Sequence, residues 1–166
     1  MDIKSNSERN QTGILFICLG NICRSPLAEG IFQHKLRECG LQDQYIVDSA
    51  GTGDWHVGDL ADPRMRATAL RYGIDLKSRA RQVNEIDFKR FDLLLAMDRN
   101  NYNHLLDMAK GEIERERVHM MRAFDPDAND DFDVPDPYFG GDQGFEYVYH
   151  MLNRSCERLL NMLENK

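Results

Sequence analysis

The sequence predicts an α/β domain built on a parallel sheet, and three observations predict it. The run Gly13-Ile14-Leu15-Phe16-Ile17-Cys18 is continuously apolar, which suits a strand covered on both faces rather than one. Further short apolar runs alternate along the chain with segments of helical spacing, the order expected of strands joined by crossover helices. The chain has 166 residues, 42% of them apolar, enough for one compact domain with its own core and no disulfide or metal staple.

The elements follow in order. After the first strand, Ser25-Pro26 offers an N-cap and a proline at the first helical position. Leu27, Ala28, Ile31, Phe32 and Leu36 continue at helical spacing, and Gly40 closes the helix. Tyr45-Ile46-Val47 is a second short strand, followed by Ser49-Ala50-Gly51-Thr52-Gly53 as a loop. Asp62-Pro63 opens another helix and Gly73 ends it. Phe91 to Met97 is a third strand, with a helix through Asn101 to Met108 after it, and Arg117 to Met121 is a fourth. In the last segment Phe145, Val148, Tyr149, Leu152, Cys156, Leu159, Leu160 and Leu163 step by three or four, a wide apolar stripe. The expected fold is therefore a four-stranded parallel sheet with helices on both faces. Such sheets bind ligands beyond the carboxyl ends of their strands, where Cys18 and Ser49 would lie. Residues 1–12 are polar and read as a disordered lead, leaving residues 13–166 as the domain.

Charge narrows the function. The net charge is −7, and Asp125 to Asp142 holds seven aspartates with no Lys or Arg. The remainder is balanced, so neither nucleic acid nor an anionic membrane is an expected partner. No apolar run reaches membrane-spanning length and no export signal is visible, which with four cysteines (Cys18, Cys23, Cys39, Cys156) points to the cytoplasm. Cys39 and Cys156 read as buried helix residues. The segment from Asp125 loosely matches a calcium loop, but Asp130 replaces the required Gly and Asp136 the bidentate Glu. A solvated acidic loop is the expectation there, and no metal or cofactor is expected.

The chemistry concentrates at the end of the first strand, in Cys18-Leu19-Gly20-Asn21-Ile22-Cys23-Arg24-Ser25-Pro26. A loop leading from a buried strand into a helix N-terminus directs successive N–H groups at an anion. Gly20 and Asn21 tolerate the positive φ that such a turn needs. Arg24 offers a planar fork for phosphate oxygens. In that positive field Cys18 should ionise readily, and a thiolate beneath a bound phosphate is placed for in-line attack.

This loop resembles the phosphate-binding loop of the low-molecular-weight protein tyrosine phosphatases. The resemblance extends through Asp48-Ser49-Ala50-Gly51-Thr52 with Trp55, Asp62-Pro63-Arg64, Arg79-Ala80-Arg81-Gln82, Phe91-Asp92, Ala96-Met97-Asp98 and Asp136-Pro137-Tyr138-Phe139. It implies hydrolysis of phosphotyrosine on proteins, and of small aryl phosphates, through a phosphocysteine on Cys18. The amides of Leu19, Gly20, Asn21, Ile22, Cys23 and Arg24, with the Arg24 side chain, would hold the phosphoryl oxygens. Ser25 would hydrogen-bond the thiolate, Asn21 and Ser49 would shape the loop, and Asp136 would serve as general acid and then base. Trp55, Tyr138 and Phe139 would wall the pocket, and phosphate-like oxyanions would inhibit. Cys23 could form a reversible disulfide with Cys18.

Two departures accompany the resemblance. Ser78 stands where several relatives carry a His near the loop, and Phe139 where many have a second tyrosine. Three alternatives share the fold. An arsenate reductase needs further mid-chain cysteines, and none lies between Cys39 and Cys156. A protein arginine phosphatase carries Thr where this chain has the bulkier Ile22. A phosphate-binding adaptor would have lost the nucleophile, the arginine or the acid, whereas Cys18, Arg24 and Asp136 are all present.

Overall fold

The computed structural model of the chain describes residues 10–139 and 141–165, and of Phe139 the backbone alone. Most of the expected polar lead, residues 1–9, lies outside the described residues. Four strands, β1 (Thr12–Cys18), β2 (Tyr45–Gly51), β3 (Leu93–Ala96) and β4 (Val118–Met120), form one sheet in the order β2-β1-β3-β4. Every pairing is parallel. Six helices connect and cover it: α1 (Arg24–Glu38), α2 (Pro63–Arg71), α3 (Asp87–Arg90), α4 (Arg99–Met108), α5 (Gly111–Arg115) and α6 (Asp142–Glu164).

Ile14, Leu15, Phe16 and Ile17 are all fully buried, and the two sheet faces explain the missing alternation. Ile14, Phe16 and Cys18 join a core with α1 and α6, while Leu15 and Ile17 join a second core with Phe88 and Leu105. Because successive side chains of a strand point to opposite faces, a strand with helices on both sides must be apolar throughout. The long stripe on α6 is buried as its spacing required.

The helix ends follow local rules with one correction. α1 stops in a Schellman motif, with Leu41 N donating to Leu36 O at 2.8 Å and Gly40 at φ +68°. Asp62 caps α2 by accepting from Arg64 N at 2.8 Å, ahead of Pro63 at the first helical position. Ser25, expected as the N-cap of α1, instead lies inside the helix, whose cap position is Cys23 with no side-chain cap bond. Its hydroxyl is engaged by Asn21 and Cys18, so the loop after β1 has taken it from the helix terminus.

The second strand is longer than its composition suggests. β2 pairs residue by residue with β1 through Cys18 opposite Gly51, so Asp48 to Gly51 are strand rather than loop. Pairing with a buried neighbour overrides their weak intrinsic preference. Cys39, expected to be buried, is exposed at the end of α1, whereas Cys156 is buried. The short α3 and α5 had no periodic signal. In the acidic segment Asp125 is buried between Arg122 and Arg154, accepting from both, and so serves as an internal ion-pair hub. Among the described residues no helix is long and apolar enough to cross a membrane.

Candidate active site

The strand order reverses direction at β1: the chain moves to β2 on one side, then crosses to β3 on the other. This switch point leaves a crevice at the carboxyl ends of β1 and β3. Cys18 ends β1, and Met97-Asp98 follow β3, so the two sides of the crevice carry the nucleophile candidate and a carboxylate.

The loop after Cys18 folds back over its own sulfur. Asn21 takes the left-handed turn at φ +57°, and its N–H donates to Cys18 Sγ at 3.3 Å. Gly20, the other residue expected to need a positive φ, does not adopt one. Ser25 Oγ lies 3.0 Å from the same sulfur. Behind the loop, Asn21 Nδ2 donates to Ser25 Oγ at 2.7 Å and to Ser49 Oγ at 3.0 Å, while its Oδ1 accepts from Arg81 N at 3.0 Å. One carboxamide thus ties together the loop, α1, β2 and the segment carrying Arg81. Gly51 passes so close beneath that a Cβ there would stand 2.8 Å from the Leu19 carbonyl oxygen.

Arg24 is buried, and Nη1 donates to Asp98 Oδ2 at 2.7 Å and to the Val134 carbonyl at 3.0 Å. Nη2 lies 3.7 Å from Asp136 Oδ2. Burial opposes the Arg24 charge, but Cys18, Asp98 and Asp136 outweigh it and hold its pKa above the ordinary arginine value. The Cys23 thiol, also buried, is pushed far up by burial and by the neighbouring Asp62, Cys18 and Asp136.

These groups open into one cavity of about 140 Å³. Buried Cys18, Ile22, Cys23 and Arg24 form its floor, and Leu19, Gly20, Trp55, His56, Asp136 and Tyr138 complete the lining, with the His56 and Tyr138 ring centroids 6.5 Å apart. Trp55 is 70% exposed and Tyr138 39%, so both stand at the rim. The Trp55 ring lies over Gly53, where any Cβ would overlap it at 1.8 Å. Asp136 Oδ1 accepts from Tyr138 N at 3.0 Å, and Arg64 Nη2 donates to the Tyr138 carbonyl at 3.0 Å. The expectation for Phe139 concerns a side chain outside the described residues.

The structure therefore gathers Cys18, Arg24, Asp136, Trp55, Tyr138 and the loop from Leu19 to Cys23 at one cavity, and Asn21, Ser25 and Ser49 directly behind it. Sequence reasoning missed four contributors. His56 lines the cavity beside Trp55, and its position next to a rim tryptophan was the available signal. Asp98 holds Arg24, Arg81 supplies the N–H that fixes Asn21, and Glu29 accepts from Ser49 Oγ at 2.6 Å. Asp98 and Arg81 fall within the motifs that carry the resemblance, which assigns neither a role. Glu29, a charged residue within an otherwise apolar helix face, was not singled out.

Comparison with known proteins shows the family. The family model for low molecular weight phosphotyrosine protein phosphatase matches residues 13–166. A low molecular weight protein-tyrosine-phosphatase of Streptomyces coelicolor is 42% identical over 89% of this chain and 90% of its own. The crystal structure of a protein tyrosine phosphatase from Entamoeba histolytica, with Hepes in its active site, superposes with TM-score 0.89 at 41% identity, covering 93% of this chain and 98% of that one. A Drosophila arginine phosphatase structure superposes with TM-score 0.84 at 33% identity, covering 90% and 96%. On these matches the chain belongs to the low molecular weight phosphotyrosine protein phosphatase family.

Proposed function

We propose that the protein hydrolyses phosphotyrosine on proteins through a phosphocysteine on Cys18. The observation that carries this reading is the meeting of Cys18, Arg24 and Asp136 at one small cavity with an aromatic rim. The phosphoryl group sits on the loop amides and the Arg24 fork, which gather the charge spread over its equatorial oxygens. Cys18 Sγ attacks phosphorus as the bond to the phenolic oxygen breaks, and the Asp136 carboxyl passes its proton to that oxygen. Asp136, now a carboxylate, takes a proton from water, whose oxygen attacks phosphorus and breaks the S–P bond. Inorganic phosphate leaves, and Cys18 returns as a thiolate held by the Asn21 N–H and the Ser25 hydroxyl.

Trp55 and Tyr138 supply flat apolar surface for a phenyl ring. Protein substrates suit a rim this exposed, and inorganic oxyanions shaped like phosphate should compete for the loop. Four free cysteines, two of them at the cavity floor, suit the reducing cytoplasm. A second reading, hydrolysis of phosphoarginine, is favoured by the Drosophila relative; Ile22 on the cavity floor favours the aryl substrate.

The test is turnover of an aryl phosphate and of phosphoarginine by wild type, Cys18→Ser and Asp136→Asn, in reductant with EDTA. Wild type should turn over the aryl ester, and Cys18→Ser should not. Asp136→Asn should lose about 10²–10³-fold on a poor leaving group and little on an acidic one that departs unprotonated. Preference for phosphoarginine would transfer the assignment, and full activity in Cys18→Ser would remove it.

A further inference from the structure

We infer that Arg64 is a positioning residue for this reaction, its guanidinium acting as a strut that holds Asp136 at a set distance from the loop after β1. The inference rests on the phosphatase reading above, which makes Asp136 the general acid. The strut can be followed bond by bond. Asp62 N donates to the Ile22 carbonyl at 2.8 Å, which fastens the start of α2 to the loop. The Asp62 carboxylate then grips the Arg64 fork, Oδ1 accepting from Nε at 3.1 Å and Oδ2 from Nη2 at 3.0 Å. Nη2 also donates to the Tyr138 carbonyl at 3.0 Å, and Tyr138 N donates to Asp136 Oδ1 at 3.0 Å. Arg64 Cζ lies 4.8 Å from the Phe145 ring centroid and 5.5 Å from that of Tyr138, so the fork is seated between the start of α6 and the segment it holds.

The other side of Asp136 is held by different elements. Val134 N donates to the Met97 carbonyl at 2.7 Å, and Asp133 Oδ1 accepts from Arg99 N at 2.8 Å, which ties that side to the end of β3 and the start of α4. Asp136 is thus slung between two attachments, with Pro135 before it and Pro137 after it. Prolines fix their own φ and restrict the residue ahead of them. The short span is therefore stiff, and a shift at Tyr138 carries through to the carboxyl. The Arg64 side chain is 41% exposed, so its ion pair contributes little to stability. Its worth is geometric: a general acid must lie within hydrogen-bond reach of the departing oxygen, and small misplacements are costly. Lysine would keep the charge, but its point donor lacks the planar fork that meets Asp62 and Tyr138 together.

The experiment measures kcat/KM, which reads the steps up to cleavage of the ester, for phenyl phosphate and for the phosphate ester of an acidic nitrophenol. The proteins are wild type, Arg64→Gln, Arg64→Lys, Asp136→Asn and the double variant of Arg64→Gln with Asp136→Asn. Comparing the two esters within one variant cancels any difference in folded fraction. Arg64→Gln should lose about tenfold on phenyl phosphate and under about twofold on the acidic ester. Arg64→Lys should show the same contrast, and in the Asp136→Asn background Arg64→Gln should change nothing further. Equal losses on both esters, full rescue by lysine, or a loss that persists without the Asp136 carboxyl each overturns the strut and leaves the phosphatase reading intact. Wild type that cleaves neither ester, or Asp136→Asn that treats both alike, overturns that reading and the strut with it.

Discussion

The two sides of the cavity are built by opposite means. The proposed phosphate side rests on Asn21, Arg24, Ser25, Glu29 and Ser49, every one of them less than 8% exposed. Each is held by hydrogen bonds to a different part of the fold. The proposed leaving-group side is Trp55, His56, Asp136 and Tyr138, side chains between the regular helices and strands with their faces toward solvent. A buried polar network is worth having only when complete, since each member left unpaired costs more than its bond contributed. A rim has no such demand. The contrast teaches that a change in the buried set disturbs several partners at once, whereas the rim can vary and so set preference among phosphate esters.

The comparison can be broken at its strongest point first. Arg24→Lys keeps the charge but loses the planar fork and the paired contacts to Asp98 and Val134. It should lower kcat/KM by roughly 10²–10³-fold, measured by steady-state hydrolysis; a loss under fivefold would mean that charge alone suffices. Asn21→Ala leaves Ser25, Ser49 and Arg81 N short of a partner and puts a Cβ without a compensating amide at φ +57°. Denaturant unfolding should report a loss of about 2–4 kcal/mol.

Glu29 sharpens the comparison by separating stability from activity. Its folded pKa is raised from 4.5 to about 7, so its contribution is present below pH 4.5 and is lost as pH rises through 7. Wild type should therefore lose stability relative to Glu29→Gln over that window, by on the order of 2–3 kcal/mol. Parallel melting curves from pH 4.5 to 8 would check it, and a constant difference would contradict the burial argument. The smallest effect belongs to the rim. Trp55→Ala should raise KM for a phosphotyrosyl peptide about fivefold while leaving inhibition by inorganic phosphate unchanged; an equal effect on both would place Trp55 with the buried network.

How much was legible before the structure depends on whether a signal was local. The strand at residues 13–18, the Asp62-Pro63 cap and the α6 stripe are written in consecutive residues, and the structure keeps them. Ser25 misled because Ser-Pro at a helix start is a local signal, while the demand on its hydroxyl comes from Asn21 and Cys18. The end of β2 misled for the same reason, since only its register against β1 makes Ser49 a strand residue.

The sequence by itself determined the sheet-and-helix order, the loop after Cys18 and the family, because periodicity, caps and a short motif are properties of neighbours along the chain. The tertiary structure decided the rest. It put Asp136 within 3.7 Å of Arg24, 112 positions away in sequence, paired Arg24 with Asp98, and set Glu29 behind Ser49. Those contacts depend on which strands lie side by side and how far α1 is rotated against β2. Packing of two faces of one sheet fixes both, and no local pattern encodes either.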